Sequence, residues 1–150
     1  MNNVSDLLRA RGASGSMPGA RDDGARIALC IEGGAMRGVI AGGMLTALED
    51  LGLSSAFDAV YGSSAGAIGA TYFLSRQASL GVRIYTEDIN NRRFANRARL
   101  FLGEPIVNLS VLVDDVMVRV KPLETKADLN SPTPVPRPAT DVGSVEARSV

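Results

Sequence analysis

The 150-residue sequence has no histidine, no tryptophan and a single cysteine, and its 16 basic and 16 acidic residues cancel. Each absence removes a class of chemistry. Without histidine, a Ser-His-Asp triad cannot be assembled within the chain. With Cys30 as the lone thiol, a zinc centre lacks ligands, so no metal site is expected. One cysteine forms no internal disulfide, which fits a reducing cytoplasm, the expected location. A net charge of zero gives no global attraction to nucleic acid or to an anionic membrane. No apolar run approaches the roughly 18 residues of a membrane span. Asp6, Arg9 and Arg11 break up the N-terminus where a signal peptide needs an apolar stretch. Reversible contact with a lipid surface is left open. What remains is an ordinary globular composition, 45% hydrophobic, enough for one domain with a real core.

Residues 1–24 are rich in Gly, Ser, Arg and Asp and lack periodicity, which predicts a flexible leader with at most a helical turn near residues 4–10. Residues 25–150 read as the domain. Ile27-Ala28-Leu29-Cys30-Ile31 is a continuous apolar run stopped by Gly33-Gly34, as expected of a parallel strand covered on both faces. Cys30 then reads as a small core residue. A helix is predicted over residues 36–51, with Val39, Ile40, Met44, Leu48 and Leu51 near helical spacing and Gly52 as its C-terminal cap. Gly42 and Gly43 inside it imply close packing on the sheet. A short strand ending at Tyr61 and a helix to about Arg76 follow. Strand, helix, strand, helix is the order of a parallel α/β sheet with right-handed crossovers.

Residues 82–100 are polar and basic and suit a surface helix, with Arg92, Arg93, Arg97 and Arg99 on a solvated face. Leu109, Leu112, Val113, Val116, Met117 and Val120 then fall on one helical stripe, with Asp114 and Asp115 on its solvated side. Pro132, Pro134, Pro136 and Pro138 favour extended chain over residues 131–138 and exclude a central strand there. There is no internal repeat.

The residues that carry chemistry are Gly62-Ser63-Ser64-Ala65-Gly66, a G-x-S-x-G pentapeptide between the second strand and the next helix. The pattern alone arises easily in a chain with 16 glycines; its placement singles it out. A serine on a tight strand-to-helix turn is lifted clear of the sheet beside a positive helix N-terminus, and flanking glycines leave that turn uncrowded. Ser64 is the candidate nucleophile. A second loop, Glu32-Gly33-Gly34-Ala35-Met36-Arg37-Gly38, joins the first strand to the first helix. Its small residues let backbone N–H groups turn inward as oxyanion donors. In a parallel sheet both turns emerge at the carboxyl edge, where ligands bind. A phosphate-cradling loop is the competing assignment. Ala35 breaks G-x-G-x-x-G, however, and the Gly-Lys-Ser/Thr ending of a P-loop is absent.

With GGAMRG at residues 33–38 and GSSAG at residues 62–66, the chain resembles the patatin-like phospholipases, the bacterial members best, over about residues 26–141. Tyr85-Thr86-Glu87-Asp88-Ile89-Asn90-Asn91-Arg92-Arg93-Phe94, Lys121-Pro122-Leu123 and Ser131-Pro132-Thr133-Pro134 share in the likeness. The resemblance implies a three-layer α/β/α fold and a cofactor-free lipid acyl hydrolase with a Ser-Asp dyad, which accounts for the missing histidine. It acts on phospholipid or other lipid esters at a membrane or micelle surface. It assigns attack to Ser64, with Gly62, Ser63, Ala65 and Gly66 forming the elbow. Gly33, Gly34, Ala35, Arg37 and Gly38 supply or shape the oxyanion hole. The family's aspartate lies in a downstream Asp-Gly-Gly or Asp-Gly-Ala, and neither follows Ser64 here. Asp22-Asp23-Gly24-Ala25 spells Asp-Gly-Ala but precedes the first strand, and Asp141 matches a different position in relatives. The expectation is a chain that stops before its dyad aspartate. The alternative is an inactive remnant with a lipid- or partner-binding surface.

Overall fold

The structure is a computed structural model that describes residues 3–124, 138–140 and 147–149. Its centre is a parallel pair of strands, β1 (Ala28–Ile31) and β2 (Ala59–Gly62), in the register Ala28↔Ala59 to Ile31↔Gly62. Helix α1 (Val4–Ser14) precedes β1, and a 3₁₀ turn (Ala35–Arg37) leads into α2 (Gly38–Asp50) between the strands. Helix α3 (Ala65–Leu74) follows β2 directly. Helix α4 (Ala78–Arg83) then runs on into a π-helical turn (Ile84–Asp88). A second 3₁₀ turn (Arg97–Leu102) and a π-helical segment (Val111–Val120) complete the main body. Further along, β3 (Pro138–Thr140) and β4 (Ala147–Ser149) pair antiparallel. Pro138 is the first residue of its strand, where a missing N–H costs no ladder bond; residues 131–137 of the proline-rich stretch, and Asp141, lie outside the described residues.

The alternation of β1, α2, β2 and α3 is the predicted α/β fold. Helix α3 is its centre. Seven of its ten residues are buried, as in a helix enclosed on all sides. On the sheet side, Phe73 and Ala70 pack with Ile31, Val60, Leu45 and Phe57, and the Phe57 and Phe73 rings meet edge to face at 6.2 Å between centroids. On the other side, Tyr72 packs with Ile84, Phe94, Val111 and Val116, and its hydroxyl donates to the Lys121 carbonyl at 2.7 Å. Burial pushes the Tyr72 phenol up to about 12, so it keeps that proton.

Several expectations are corrected. The leader is a docked helix: Arg11 of α1 is only 2% exposed and pairs with Asp23 and Asp58. Cys30 is exposed, because among the described residues the helices cover one face of the strand pair, and Ala28 and Cys30 point away from it. In α2 the inward face is Gly38, Gly42 and Leu45, whereas Ile40 and Met44 are exposed. The glycines let helix meet helix, not sheet. A Cβ on Gly42 would lie 2.9 Å from Val82 Cγ2 of α4, while one on Gly43 meets nothing within 4 Å. The stripe over residues 109–120 also turns out differently, because the segment winds with i→i+5 bonds. Val111, Val116 and Lys121, five apart, are buried, while Leu109, Val113 and Val120 are exposed.

Candidate active site

Parallel pairing of Ile31 with Gly62 brings the two signature loops to the same end of the sheet. They touch. A Cβ on Gly33 would lie 2.9 Å from the Ser63 carbonyl oxygen and 3.0 Å from Ser64 Cβ. Only a residue without a side chain lets the glycine loop lie against the serine turn. Gly62 and Gly66 serve the turn itself. A Cβ on Gly62 would sit 2.6 Å from Ala67 Cα, and one on Gly66 would sit 2.3 Å from the Ile31 carbonyl oxygen. The sequence therefore places glycine where strand and helix must cross within backbone distance.

Ser64 has φ 52° and ψ −123°, a conformation that L-residues avoid. It costs on the order of 1–3 kcal/mol and persists because the surroundings over-determine it. Ser63 N–H donates to the Ile31 carbonyl at 3.2 Å, Gly66 N–H to Ser63 at 2.9 Å and Ala67 N–H to Ser64 at 2.9 Å. These bonds lock both sides of the turn and leave the Ser64 side chain exposed. Among the described residues nothing hydrogen-bonds Ser64 Oγ, and no acceptor meets the N–H groups of Gly33, Gly34, Ala35 or Ala65. The last two open the 3₁₀ turn before α2 and helix α3, where first-turn donors have no partner within the helix.

Ala35 is also strained, with φ 48°, at the position where G-x-G-x-x-G would have glycine. Ala35→Gly should therefore stabilise the protein by about 0.5–1 kcal/mol, the left-handed penalty less glycine's extra unfolded-state entropy. Urea unfolding measures it; an unchanged or lowered midpoint would contradict the strain. Arg37 is exposed, with its side chain folded back towards Gly34, where a Cβ would lie 3.2 Å from Nε. Gly38 is buried at the start of α2 against the Tyr85 ring.

Ser64 opens on a cavity of about 380 Å³ whose walls are almost wholly apolar. Ala35 and Met36 form one side, Ala65 and Ile68 another, and the π-helical turn gives Ile84 and Tyr85. Phe94, Val107, Leu109, Leu112 and Val113 close it. Leu109 and Val113, two of the exposed members of the 109–120 stripe, thus face this cavity and not a packed core. Sequence reasoning did not find the cavity. Behind it Lys121, itself buried, pairs with Glu87 at 2.9 Å and with Asp88, tying the two π-helical segments together. Of the four arginines assigned to a solvated face, Arg93 pairs with Asp115 and Arg99 with Glu104 at 3.7 Å. Asp115 also meets Arg119 at 3.2 Å, while Asp114 is exposed. Among the described residues no group of three or more His, Cys, Asp or Glu could hold a metal ion. Nor is any helix there long and apolar enough to cross a membrane.

A strained serine between strand and helix thus lies beside a glycine loop at the carboxyl edge of the parallel strand pair. The sequence model of the patatin-like phospholipases matches residues 29–145, and the chain belongs to that family of lipid acyl hydrolases. No curated protein and no solved structure matches it.

Proposed function

We propose that the protein is a serine esterase of lipid substrates, with Ser64 as nucleophile and the apolar cavity as the seat of the acyl chain. The observation that carries the reading is one juxtaposition: an exposed serine on a strained turn, unpartnered N–H donors beside it, and an apolar cavity at its side chain. Ser64 Oγ attacks the ester carbonyl. The N–H groups of Gly33, Gly34 and Ala35, with that of Ala65, hold the oxyanion, helped by the positive end of α2 at Gly38. Arg37 shapes the loop and adds positive charge. The alcohol leaves with a proton, and water then releases the acyl group from Ser64. With no histidine in the chain, a carboxylate takes the Ser64 proton directly, as in a Ser-Asp dyad. No Asp-Gly-Gly or Asp-Gly-Ala follows Ser64, and no carboxylate hydrogen-bonds its hydroxyl among the described residues. The substrate is presented at a membrane or micelle surface, and the protein works in the cytoplasm or peripherally on the membrane.

The test is covalent labelling. A fluorophosphonate probe should modify the peptide containing Ser64, and Ser64→Ala should remove both the adduct and any ester turnover. An adduct elsewhere, or turnover that survives the substitution, overturns the reading. The unpartnered hydroxyl also favours a second reading, a protein that binds lipid without cleaving it. A long-chain fatty acid would then bind in the cavity while the probe leaves Ser64 unmodified.

A further inference from the structure

We propose that the loop over residues 94–108 is a docking element that seats the cavity mouth on an anionic phospholipid surface. The loop is built, not loose. Its stem is a short antiparallel contact: Ala95 pairs with Val107, Asn96 N–H donates to Ile106 at 2.9 Å and Asn108 N–H to Phe94 at 2.8 Å. Its tip is the 3₁₀ turn Arg97–Leu102, capped in front by the Asn96 side chain on Ala98 N–H at 3.0 Å and closed behind by Gly103 at φ 71°. On that fixed tip Leu100, Phe101 and Leu102 are 65%, 91% and 75% exposed. Three consecutive large apolar side chains held in water mark an interaction surface.

The charge beside the tip selects the occupant. Arg93 and Arg99 are matched by Asp115 and Glu104, but Arg92 and Arg97 are exposed and in no ion pair among the described residues. Apolar side chains that penetrate the acyl boundary, with free cations at headgroup level, are the pairing that interfacial anchors use on anionic lipid. The local cations matter here because the whole chain carries no net charge. Position completes the argument. Phe94, Ala95 and Val107 of the stem line the cavity onto which Ser64 opens, so the anchor and the proposed site are two ends of one loop. The link to substrate rests on the acyl-cavity reading; docking itself needs no catalysis.

The experiment uses the full chain carrying Ser64→Ala, so that vesicles stay intact, in cosedimentation with phosphatidylglycerol-containing and pure phosphatidylcholine vesicles. Leu100→Ser with Phe101→Ser should lower partitioning onto both by tenfold or more. Arg92→Gln with Arg97→Gln should lower it on the anionic vesicles by roughly fivefold per arginine and leave phosphatidylcholine unaffected. In the Ser64 background, both pairs should leave turnover of a water-soluble short-chain ester unchanged while slowing that of vesicle phospholipid. Partitioning unchanged by both pairs overturns the docking proposal even if Ser64 is active. So does a dimer that Leu100→Ser with Phe101→Ser converts to monomer, which would make the tip a self-association face. The expected partitioning without any Ser64 labelling would instead uphold docking and fail the esterase reading.

Discussion

Gly66→Ala is expected to destabilise the protein by about 3 kcal/mol or more and to abolish probe labelling at Ser64. The added Cβ would lie 2.3 Å from the Ile31 carbonyl oxygen and 2.5 Å from that of Glu32. Both atoms are backbone, and Ile31 O is held in place by the Ser63 N–H. No rotamer change relieves the clash, so the start of α3 must part from the end of β1. Overpacking a side chain commonly costs about 1–3 kcal/mol, and a backbone neighbour belongs at or above the top of that range. Against a domain stability of about 5–15 kcal/mol the loss is large. It strikes the turn that carries Ser64, so labelling should fall further than the folded fraction does. Gly43→Ala is the control. Nothing lies within 4 Å of its Cβ, and a mid-helix glycine replaced by alanine should gain up to about 1 kcal/mol. Thermal unfolding of the two variants checks the contrast; Gly66→Ala within 1 kcal/mol of the parent would contradict the packing at the elbow.

The elbow and the glycine loop were legible because glycine spacing is itself the signal where backbones must touch. Gly33, Gly62 and Gly66 could be found without knowing what they touch. The same property hid the inner face of α2. Glycine has no hydropathy to contribute to a periodicity, so the pattern attached to Ile40 and Met44 while Gly38 and Gly42 did the packing. The 109–120 stripe held at Leu112, Val116 and Met117 but not at Leu109, Val113 and Val120: helical spacing presumes i→i+4 winding, whereas the π-helical segment turns Val111, Val116 and Lys121, five apart, inward. The cavity was out of reach, since its walls come from positions as far apart as Ala35 and Val113 and each apolar residue reads locally as core. Lys121 similarly looked like part of a short motif, whereas its burial depends on Glu87 and Asp88 more than thirty residues earlier.

Arg11→Met is expected to cost about 3–5 kcal/mol, although it alters a helix that composition alone assigns to a leader. The guanidinium uses all five of its N–H donors. Nε and Nη2 grip both oxygens of Asp23 at 2.7 and 3.0 Å. Nη2 also reaches the Ala25 carbonyl at 2.8 Å, and Nη1 reaches the Ala56 carbonyl at 2.9 Å and Asp58 at 3.0 Å. Asp58 accepts the Ile27 N–H at 2.7 Å and pairs with Arg21, so the cluster joins α1 to the approaches of both central strands. Methionine fills much of the volume but leaves two carboxylates and two carbonyls short of donors. Lysine would not restore the fork. The same cluster sets an acid limit. Hydrogen bonds from Arg11 and then from the Ala25 N–H pull the Asp23 carboxyl down to about 2. Burial pushes Asp58 upward, but its bonds from Ile27 N–H, Arg21 and Arg11 outweigh that and hold it below the usual carboxylate range. At Asp23 the unfolded chain therefore takes up a proton near pH 4 that the folded chain refuses until near pH 2, and Asp58 adds to the effect in the same direction. The stabilisation is complete above about pH 4 and drains away as the pH falls through that window. Urea titrations from pH 7 to pH 2 should show a steep acid decline in the parent and a shallower one, from a lower plateau, in Arg11→Met. Parallel declines would mean that the acid sensitivity comes from other carboxylates, and an unchanged plateau at pH 7 would mean that α1 is not held by this residue.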